Sequence, residues 1–595
     1  MRQPTSVVVV DGTPFFLAKN ENGLVGWEER WEPDREGDPA KPFRAPILTW
    51  HKGMGDSRGA RPGAVHWSSN VYLGHEQVML PGPQVLTITT ALTSPVRSLV
   101  DVGSGTSRRL IALGGRYASE INSSLSVTTT FDFGVGWDVK QAIEYNGEVV
   151  IAMGDGVRWW RRNSSGTYEQ NAYGSTPPNE YRYADCFGIT DDGWLARGRA
   201  HYWSKTVNSN YFGGTGNWSA ENPIGSPNRR ILGVFAYNRW DYVLKQDGLY
   251  AFDPDIGQMV NELGDMAAYP ATEASFFRWF NRLMLCLPSG LHRYVQSSAS
   301  RNVGLEEVRL TTTLIPNAYP TAGAAYGGWA YVAYYDPDAV KTYITMFRQA
   351  EDGDSTTAPF TPVCNIDEFS GRCNAMLMSD ITGDPRLYYA RGTDVSHIRL
   401  SRNGLPRYYR NGTGNVTFRP PDRAPHTRKR LTSIEIMTEG ASATNTVSVE
   451  HSWDGATWTS DGTVTASGLT ELAVSSNQEG YTLWLRVTLN NQSATSPVSV
   501  TSIICQGHEL PGARYVASAA FRLRDYDHEG PVQTRMTAQE QLEFLRARVG
   551  GSPVTVVTPY GEQRTLVMSV ASANKIEWPK YHEPQPVFEV LFKEA

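Results

Sequence analysis

A short hairpin motif recurs seven times between Val96 and Arg402, and few folds accommodate such a repeat. Each copy is an apolar strand, a tight polar turn, a second apolar strand and a Gly-led turn. The first turns are Gly105-Thr106, Tyr145-Asn146-Gly147, Asp191-Asp192-Gly193, Tyr237-Asn238-Arg239, Phe280-Asn281-Arg282, Tyr326-Gly327-Gly328 and Thr382-Gly383. Second turns follow one strand later at Gly114-Gly115, Asp155-Gly156, Asp247-Gly248, Ser289-Gly290 and Gly392. Asn-Gly and Asp-Gly supply the positive φ angles that two-residue hairpin loops demand. The units return every ~40–56 residues, the period of four-stranded propeller blades. The pattern predicts a mainly β protein in which about seven blades close into a ring.

The strands between the turns fit this expectation. Glu148–Met153, Trp240–Leu244 and Leu283–Leu287 are short and largely apolar, as strands buried between neighbouring blades must be. Aromatic residues follow the second turns, at Trp159, Tyr250 and Tyr294. A once-per-blade aromatic suits packing between blades better than a sugar-stacking platform.

A chain of 595 residues exceeds one core and requires several domains. A formal net charge of −6 spread over that length argues against a nucleic-acid-binding surface. No run approaches the ~20 apolar residues that cross a bilayer. The first residues, Met1 to Ser6, lack a long apolar segment and a small-residue cleavage site, so no secretory signal is expected. Five cysteines are too few for a disulfide framework; Cys364 and Cys373 are the one pair that a loop could bring together. Neither their spacing nor any other motif suggests a metal or a cofactor. Asp253-Pro254-Asp255 and Asp336-Pro337-Asp338 pair carboxylates, yet Asp and Pro are turn formers and their placement follows the repeat. The acidic loop Glu351–Asp354 and the Gly-rich stretch Trp50–Arg58 read as loops, the latter lacking phosphate-cradle spacing.

The rest of the chain divides around the repeat. Residues 1–95 read as an N-terminal arm and rim segment, 96–406 as the propeller and 407–429 as a Pro- and Arg-containing linker. Residues 430–510 carry longer alternating strands, the mark of a β-sandwich with one wet face. Ser452-Trp453-Asp454-Gly455-Ala456-Thr457-Trp458 resembles the Asp-box hairpin of sialidases, one residue short between Asp and Gly. Residues 511–595 form a small α+β unit. There Thr537-Ala538-Gln539-Glu540 is a capping box, Leu542, Leu545 and Val549 line one helical face, and Gly550-Gly551 ends the helix.

The helix Thr537–Arg548, the strand Pro553-Val554-Thr555-Val556 with Pro559-Tyr560-Gly561, and the closing Phe588–Phe592 strand together resemble the assembly domains of tailed-bacteriophage tail-tip and baseplate proteins. The resemblance implies a virion structural protein without catalytic residues, made in the host cytoplasm and released by lysis. It implies three or six copies, bound to other phage tail proteins of the tube, hub or baseplate, with the propeller available for a host-surface glycan. Leu542, Leu545, Tyr560, Phe588, Val590 and Phe592 are the residues it suggests for an assembly interface. The alternative is a sialidase-like glycoside hydrolase or lectin, which would need charged groups converging on the propeller's central mouth.

Overall fold

Seven four-stranded antiparallel sheets succeed one another in the computed structural model, and the last is completed by a strand from before the first. The structure describes residues 7–18, 27–31, 41–48, 50, 53–54, 64–75, 78–171, 180–212, 217–253, 258–263, 275–295, 299–302, 317–349, 360–420, 428–474, 478–509, 515–524, 528–529, 532–533, 535–570 and 587–594. The loop Glu351–Asp354 and most of Trp50–Arg58 lie outside these residues, as do Pro254 and Asp255. The first strands of the seven blades are Ser98–Val102, Gln141–Tyr145, Cys186–Ile189, Ile231–Tyr237, Ser275–Trp279, Tyr319–Tyr326 and Met376–Ser379. These strands neighbour one another in order from the first to the fourth and from the fifth to the seventh, Phe235 of the fourth blade packs on Phe276 of the fifth at 4.1 Å, and Ser98–Val102 also meets Met376–Ser379, so the ring shuts. The chain is a seven-bladed β-propeller over this region.

Closure uses a segment that the sequence reading assigned elsewhere. Val85–Ile88 pairs antiparallel with Asp394–Arg399, Val85 opposite Ile398 and Ile88 opposite Val395, and so forms the outer strand of the seventh blade. The propeller unit accordingly spans residues 83–306 and 317–408.

Local chemistry explains most of the hairpins. Asn146 and Gly147 have φ of 54° and 78°, and Asn238 and Arg239 of 48° and 67°, the signs that a twisted two-residue hairpin requires. Two turns were illegible. The third blade turns at Ala200, with φ of 50°, and the sixth over Asp336–Lys341, with Val340 at 52°. The expected turn at Asp155-Gly156 is different again: Gly154–Arg158 forms a strand against Tyr183–Ala184, and the third strand of that blade starts at Trp160. Asp336 accepts from the amides of Asp338 and Ala339 at 3.0 and 3.3 Å, so this carboxylate pair is a turn, as expected.

Aromatic side chains fill the wedges between blades. Phe131 of the first blade stacks on Tyr168 of the second at 4.4 Å, and Trp159 packs edge-on to Phe187 of the third. Trp159, Tyr250 and Tyr294 are all buried, which answers the choice between packing and sugar stacking. Near the axis, small residues let first strands approach. A Cβ on Gly188 would stand 1.8 Å from the carbonyl oxygen of Val234 in the next blade.

The remaining described residues form a second unit, containing a β-sandwich and a small barrel. In the sandwich, one sheet runs Gly468–Ala473, Lys429–Glu439, Ser499–Glu509, Val78–Pro81, Val71–His75, with Lys41–Ile47 also paired to Ser499–Glu509. The other runs Thr459–Val464, Thr446–Ser452, Trp484–Asn491, Gly412–Phe418, Trp67–Ser69. The expected linker 407–429 thus contributes Gly412–Phe418 as a sandwich strand, and the expected N-terminal arm contributes several more.

The barrel is also composite. Thr13–Leu17, Val7–Val10, Val554–Val557, Gln563–Val570, Val587–Glu594 and Tyr515–Arg522 pair in that order, and Phe16 and Leu17 return to pair with Arg522 and Phe521. Trp27–Trp31 pairs with the other half of Tyr515–Arg522. The helix Ala538–Arg548 starts at the expected capping box, with Thr537 and Glu540 satisfying one another's amides. Its Leu542 and Leu545 join Val8, Phe15, Phe521 and Met568 in the barrel core. This corrects the suggested assembly surface: Leu542, Leu545, Phe588, Val590 and Phe592 are at most 5% exposed, because the apolar faces of helix and strands meet one another. Of the six, only Tyr560 is accessible, at 44%.

Two glycines separate steric from conformational demands. Gly188→Ala should lower propeller stability by about 3 kcal/mol or more, since backbone must yield. Gly147→Ala has open space at φ +78° and should cost only about 1 kcal/mol. Equilibrium denaturation checks both, and equal losses would refute the close-approach argument. Thr537→Ala should cost the barrel about 1 kcal/mol in the same assay.

Candidate functional site at the mouth of the propeller channel

All seven first strands begin around one cavity of about 450 Å³. Its rim is built from residues within two positions of each strand's start, among them Arg97, Lys140, Asp185, Arg230, Ser275, Thr321 and Asn374. A propeller must place these positions together, because every blade presents its first strand to the axis in the same direction.

Part of this rim holds the ring shut. The Ser98 hydroxyl lies 3.1 Å from both the amide nitrogen and the carbonyl oxygen of Ala142 in the second blade. Gln141 Oε1 accepts from the amide of Phe187 in the third at 2.7 Å. Ser275 donates to the Thr321 carbonyl at 3.1 Å, Thr321 to the Cys373 carbonyl at 2.6 Å, and Asn374 to the Val96 carbonyl at 3.3 Å. The two interfaces not bridged here are tied elsewhere: Asp241 accepts from the Asp191 amide at 2.7 Å, and Arg278 donates to the Ala236 carbonyl. Every blade interface therefore carries at least one side-chain-to-backbone latch, each worth about 1 kcal/mol.

The rest of the rim is charged. Lys140 Nζ sits 2.6 Å from Asp138. Asp185 is half-buried, and burial raises its carboxyl above the usual range; the amides of Ala200 at 2.6 Å and Asp155 at 3.1 Å, with nearby Arg230, pull the other way. Arg230 is exposed, and its backbone amide bonds Gln246. Three cationic side chains from the first, second and fourth blades thus share one cavity with a single carboxylate already engaged by backbone.

A second cavity, of about 300 Å³, shares Gln141 and Phe276 with the first. Its wall comes from the second to fifth blades and is mostly apolar, with Ile143, Phe187, Ile189, Val234, Phe235 and Phe277, though Arg278 also lines it. Ile189 is 39% exposed, unusual for an aliphatic side chain on a first strand.

Sequence reasoning missed Arg97, Lys140, Asp185 and Arg230. Each immediately precedes a first strand, so aligning the repeats on their strand starts would have found them. The residues that it did single out lie elsewhere. Asp454 is spent on its own hairpin: desolvation pushes its carboxyl up, but the amides of Thr457 and Ala456 and the Ser452 hydroxyl outweigh this and hold it at about 2. All five cysteines are buried and none forms a disulfide, so Cys364 and Cys373 do not pair. Among the described residues, no group of three or more His, Cys, Asp or Glu side chains is placed to hold a metal, and no helix is long and apolar enough to cross a membrane.

No protein-family model matches the chain, and no curated protein sequence matches it. Solved propellers are similar in layout. A virginiamycin B lyase from Staphylococcus aureus is 11% identical, with 53% of this chain and 99% of that one covered at a TM-score of 0.40. BamB from Moraxella catarrhalis is 11% identical over 54% and 93%, at 0.32, and the Neurospora crassa Pan2 WD40 domain 10% identical over 54% and 95%, at 0.35. These likenesses concern the fold and reach no further.

One buried ionisable cluster stands apart from the channel. In the seventh blade, Arg386 donates to His397 Nδ1 at 3.2 Å, which requires a neutral imidazole. Burial, then the charges of Arg386 and Arg399, depress His397 to about 4. Between that value and the ordinary ~6.5 the unfolded chain binds the extra proton, so stability falls as pH drops through this window. The loss should total about 3 kcal/mol, and His397→Gln should flatten it. Denaturation midpoints measured against pH test this; an unchanged slope in the variant would exclude His397 as the source.

Proposed function

We propose that the chain is a non-enzymatic structural protein of a tailed-bacteriophage tail tip or baseplate, docking through its barrel and carrying a propeller for contact with the host surface. The observation that carries this reading is the strand Trp27–Trp31. It pairs on one side with Tyr515–Arg522, and among the described residues its other side has no strand partner. An edge of this kind accepts a strand from a neighbouring subunit, and backbone pairing of that sort joins subunits into rings. Glu28 and Glu29 are exposed, and such charges on an edge restrict pairing to a strand of complementary charge. Tyr560 offers a further exposed aromatic contact on the same barrel.

On this reading the chain forms a homo-oligomer of three or six copies and also binds other tail proteins. Light scattering on the purified full chain should return a mass three or six times 65.9 kDa. Charge reversal at Glu28 and Glu29 to Lys should dissolve the assembly without shifting propeller unfolding. A chain that remains monomeric at every soluble concentration would sink the proposal.

A second reading, a lectin-like propeller acting on cell-surface glycans, has the polar rim of the channel in its favour. The ring latches and the backbone-held Asp185 suit binding there better than acid–base chemistry, for which a carboxyl must be free to exchange its proton.

A further inference from the structure

The first strands end on the face opposite the rim, and there one tight turn departs from the others. The first of the two turn residues is Asn146 in the second blade, Asn238 in the fourth and Gly327 in the sixth, with φ of 54°, 48° and 60°. In the fifth blade that place is taken by Phe280, at 48°. Asparagine and glycine enter this region of backbone space readily, whereas a bulky aromatic residue is strained there. The Phe280 ring leans on Trp279, with centroids 5.6 Å apart, yet 50% of the residue stays exposed. A strained residue that the fold does not need points to function.

Two further features lie on the same face. The cavity of about 300 Å³ is lined by the later halves of first strands, at Ile189, Ala236, Phe277 and Arg278, and Ile189 is 39% exposed. Arg278 and Arg239 are also exposed. Arg278 donates to the neutral carbonyl of Ala236, and among the described residues neither guanidinium has a carboxylate within ion-pair reach. The acids of this face are placed otherwise. Glu144 accepts from the Gly147 amide of its own turn at 2.6 Å, Asp192 pairs with Lys205 at 2.7 Å, and Asp191 is exposed at the third-blade end.

We infer that the turn face of the third to fifth blades docks a protein partner, through a segment that presents an aromatic or leucine side chain beside carboxylates. The apolar side chain enters the cavity past Ile189 and Phe280, and the carboxylates meet Arg278 and Arg239. Asp191 sets the direction: it repels acid at the third-blade end and leaves the fourth- and fifth-blade end for it. Exposed aromatic and arginine side chains around an apolar pocket are the groups that carry affinity between proteins. An anionic membrane would also attract two arginines, but a lipid surface makes no use of a recess between strands, and Asp191 opposes it. The inference goes beyond the assembly reading, because it concerns the propeller alone and not the barrel.

The test pans a displayed library of random dodecapeptides on the immobilised full chain, with the Phe280→Asn chain as the subtracting control. Enriched sequences should share an aromatic residue or leucine flanked by Asp or Glu. A synthetic peptide of the enriched sequence should bind the full chain in isothermal titration calorimetry, and more weakly as salt rises. Phe280→Asn should weaken it about tenfold, and so should Arg239→Glu, which spares the bond from Arg278 to Ala236. Phe280→Asn should also raise the propeller's unfolding midpoint or leave it unchanged, since asparagine suits the turn. A lowered midpoint would make Phe280 a packing residue and overturn the inference. No enrichment over the Phe280→Asn chain, enriched sequences without acid, or affinity that survives both substitutions would do the same. Sedimentation with phosphatidylglycerol vesicles that Phe280→Asn abolishes would assign the face to a membrane, and a fall in oligomeric mass in that variant would assign it to a second copy; either overturns the inference. The assembly reading is tested by the mass of the unaltered chain and by Glu28 and Glu29, so the two failures are distinguishable.

Discussion

A ring of sheets survives only if its first and last members are joined as firmly as any other pair, and that constraint governs the propeller. Here the join is made three times. Val85–Ile88 completes the seventh blade by backbone pairing, and Asn374 reaches the carbonyl of Val96 across the same interface. On the turn side of the ring, Asp101 accepts two bonds from Arg108, at 2.8 and 2.6 Å, and one from Ser379 of the seventh blade at 2.5 Å. The remaining blade interfaces repeat the device with one side chain each. Because these latches act on backbone groups, the blades are held in register as well as together.

The latches also determine what kind of site the channel can be. Ser98, Gln141, Ser275, Thr321 and Asn374 point their polar atoms at neighbouring backbone, so they are committed to structure. Of the charged residues just before the strands, Asp185 is likewise held by backbone amides, while Lys140 and Arg230 are exposed at the same rim. Deeper in, the close approach of Gly188 to Val234 removes side chains from the axis and leaves room beside Ile189 and Phe277. The cavity therefore follows from the same small residues that let the blades converge.

Strand borrowing is the second organising feature. N-terminal strands enter three separate structures: Val7–Val10, Thr13–Leu17 and Trp27–Trp31 the barrel, Lys41–Ile47, Trp67–Ser69, Val71–His75 and Val78–Pro81 the sandwich, and Val85–Ile88 the propeller. A barrel that joins Val7–Leu17 to strands some five hundred residues later has long-range contacts, which slow folding. The same borrowing explains why five of the six residues suggested for assembly are unavailable. Leu542 and Leu545 found their partners in Val8 and Phe15, more than five hundred residues earlier in the chain.

Much of the architecture was legible in the sequence because the signals are local. Positive-φ residues in tight turns mark hairpins wherever they occur, and all seven first turns were found. The capping box at Thr537 and the alternation of the sandwich strands are likewise set by near neighbours. Turns at Ala200 and Val340 escaped notice because those residues adopt positive φ only under the pull of the strands on either side. The charged rim escaped because Arg97, Lys140, Asp185 and Arg230 are dozens of residues apart, and nothing but ring closure gathers them. Sequence by itself determined the β class, the seven-fold repeat and the helix start, since each depends on backbone preferences within a few residues. The tertiary structure alone decided which strands the N-terminus lends to which sheet and which charges meet at the axis, since both depend on pairing between segments that share no local signal.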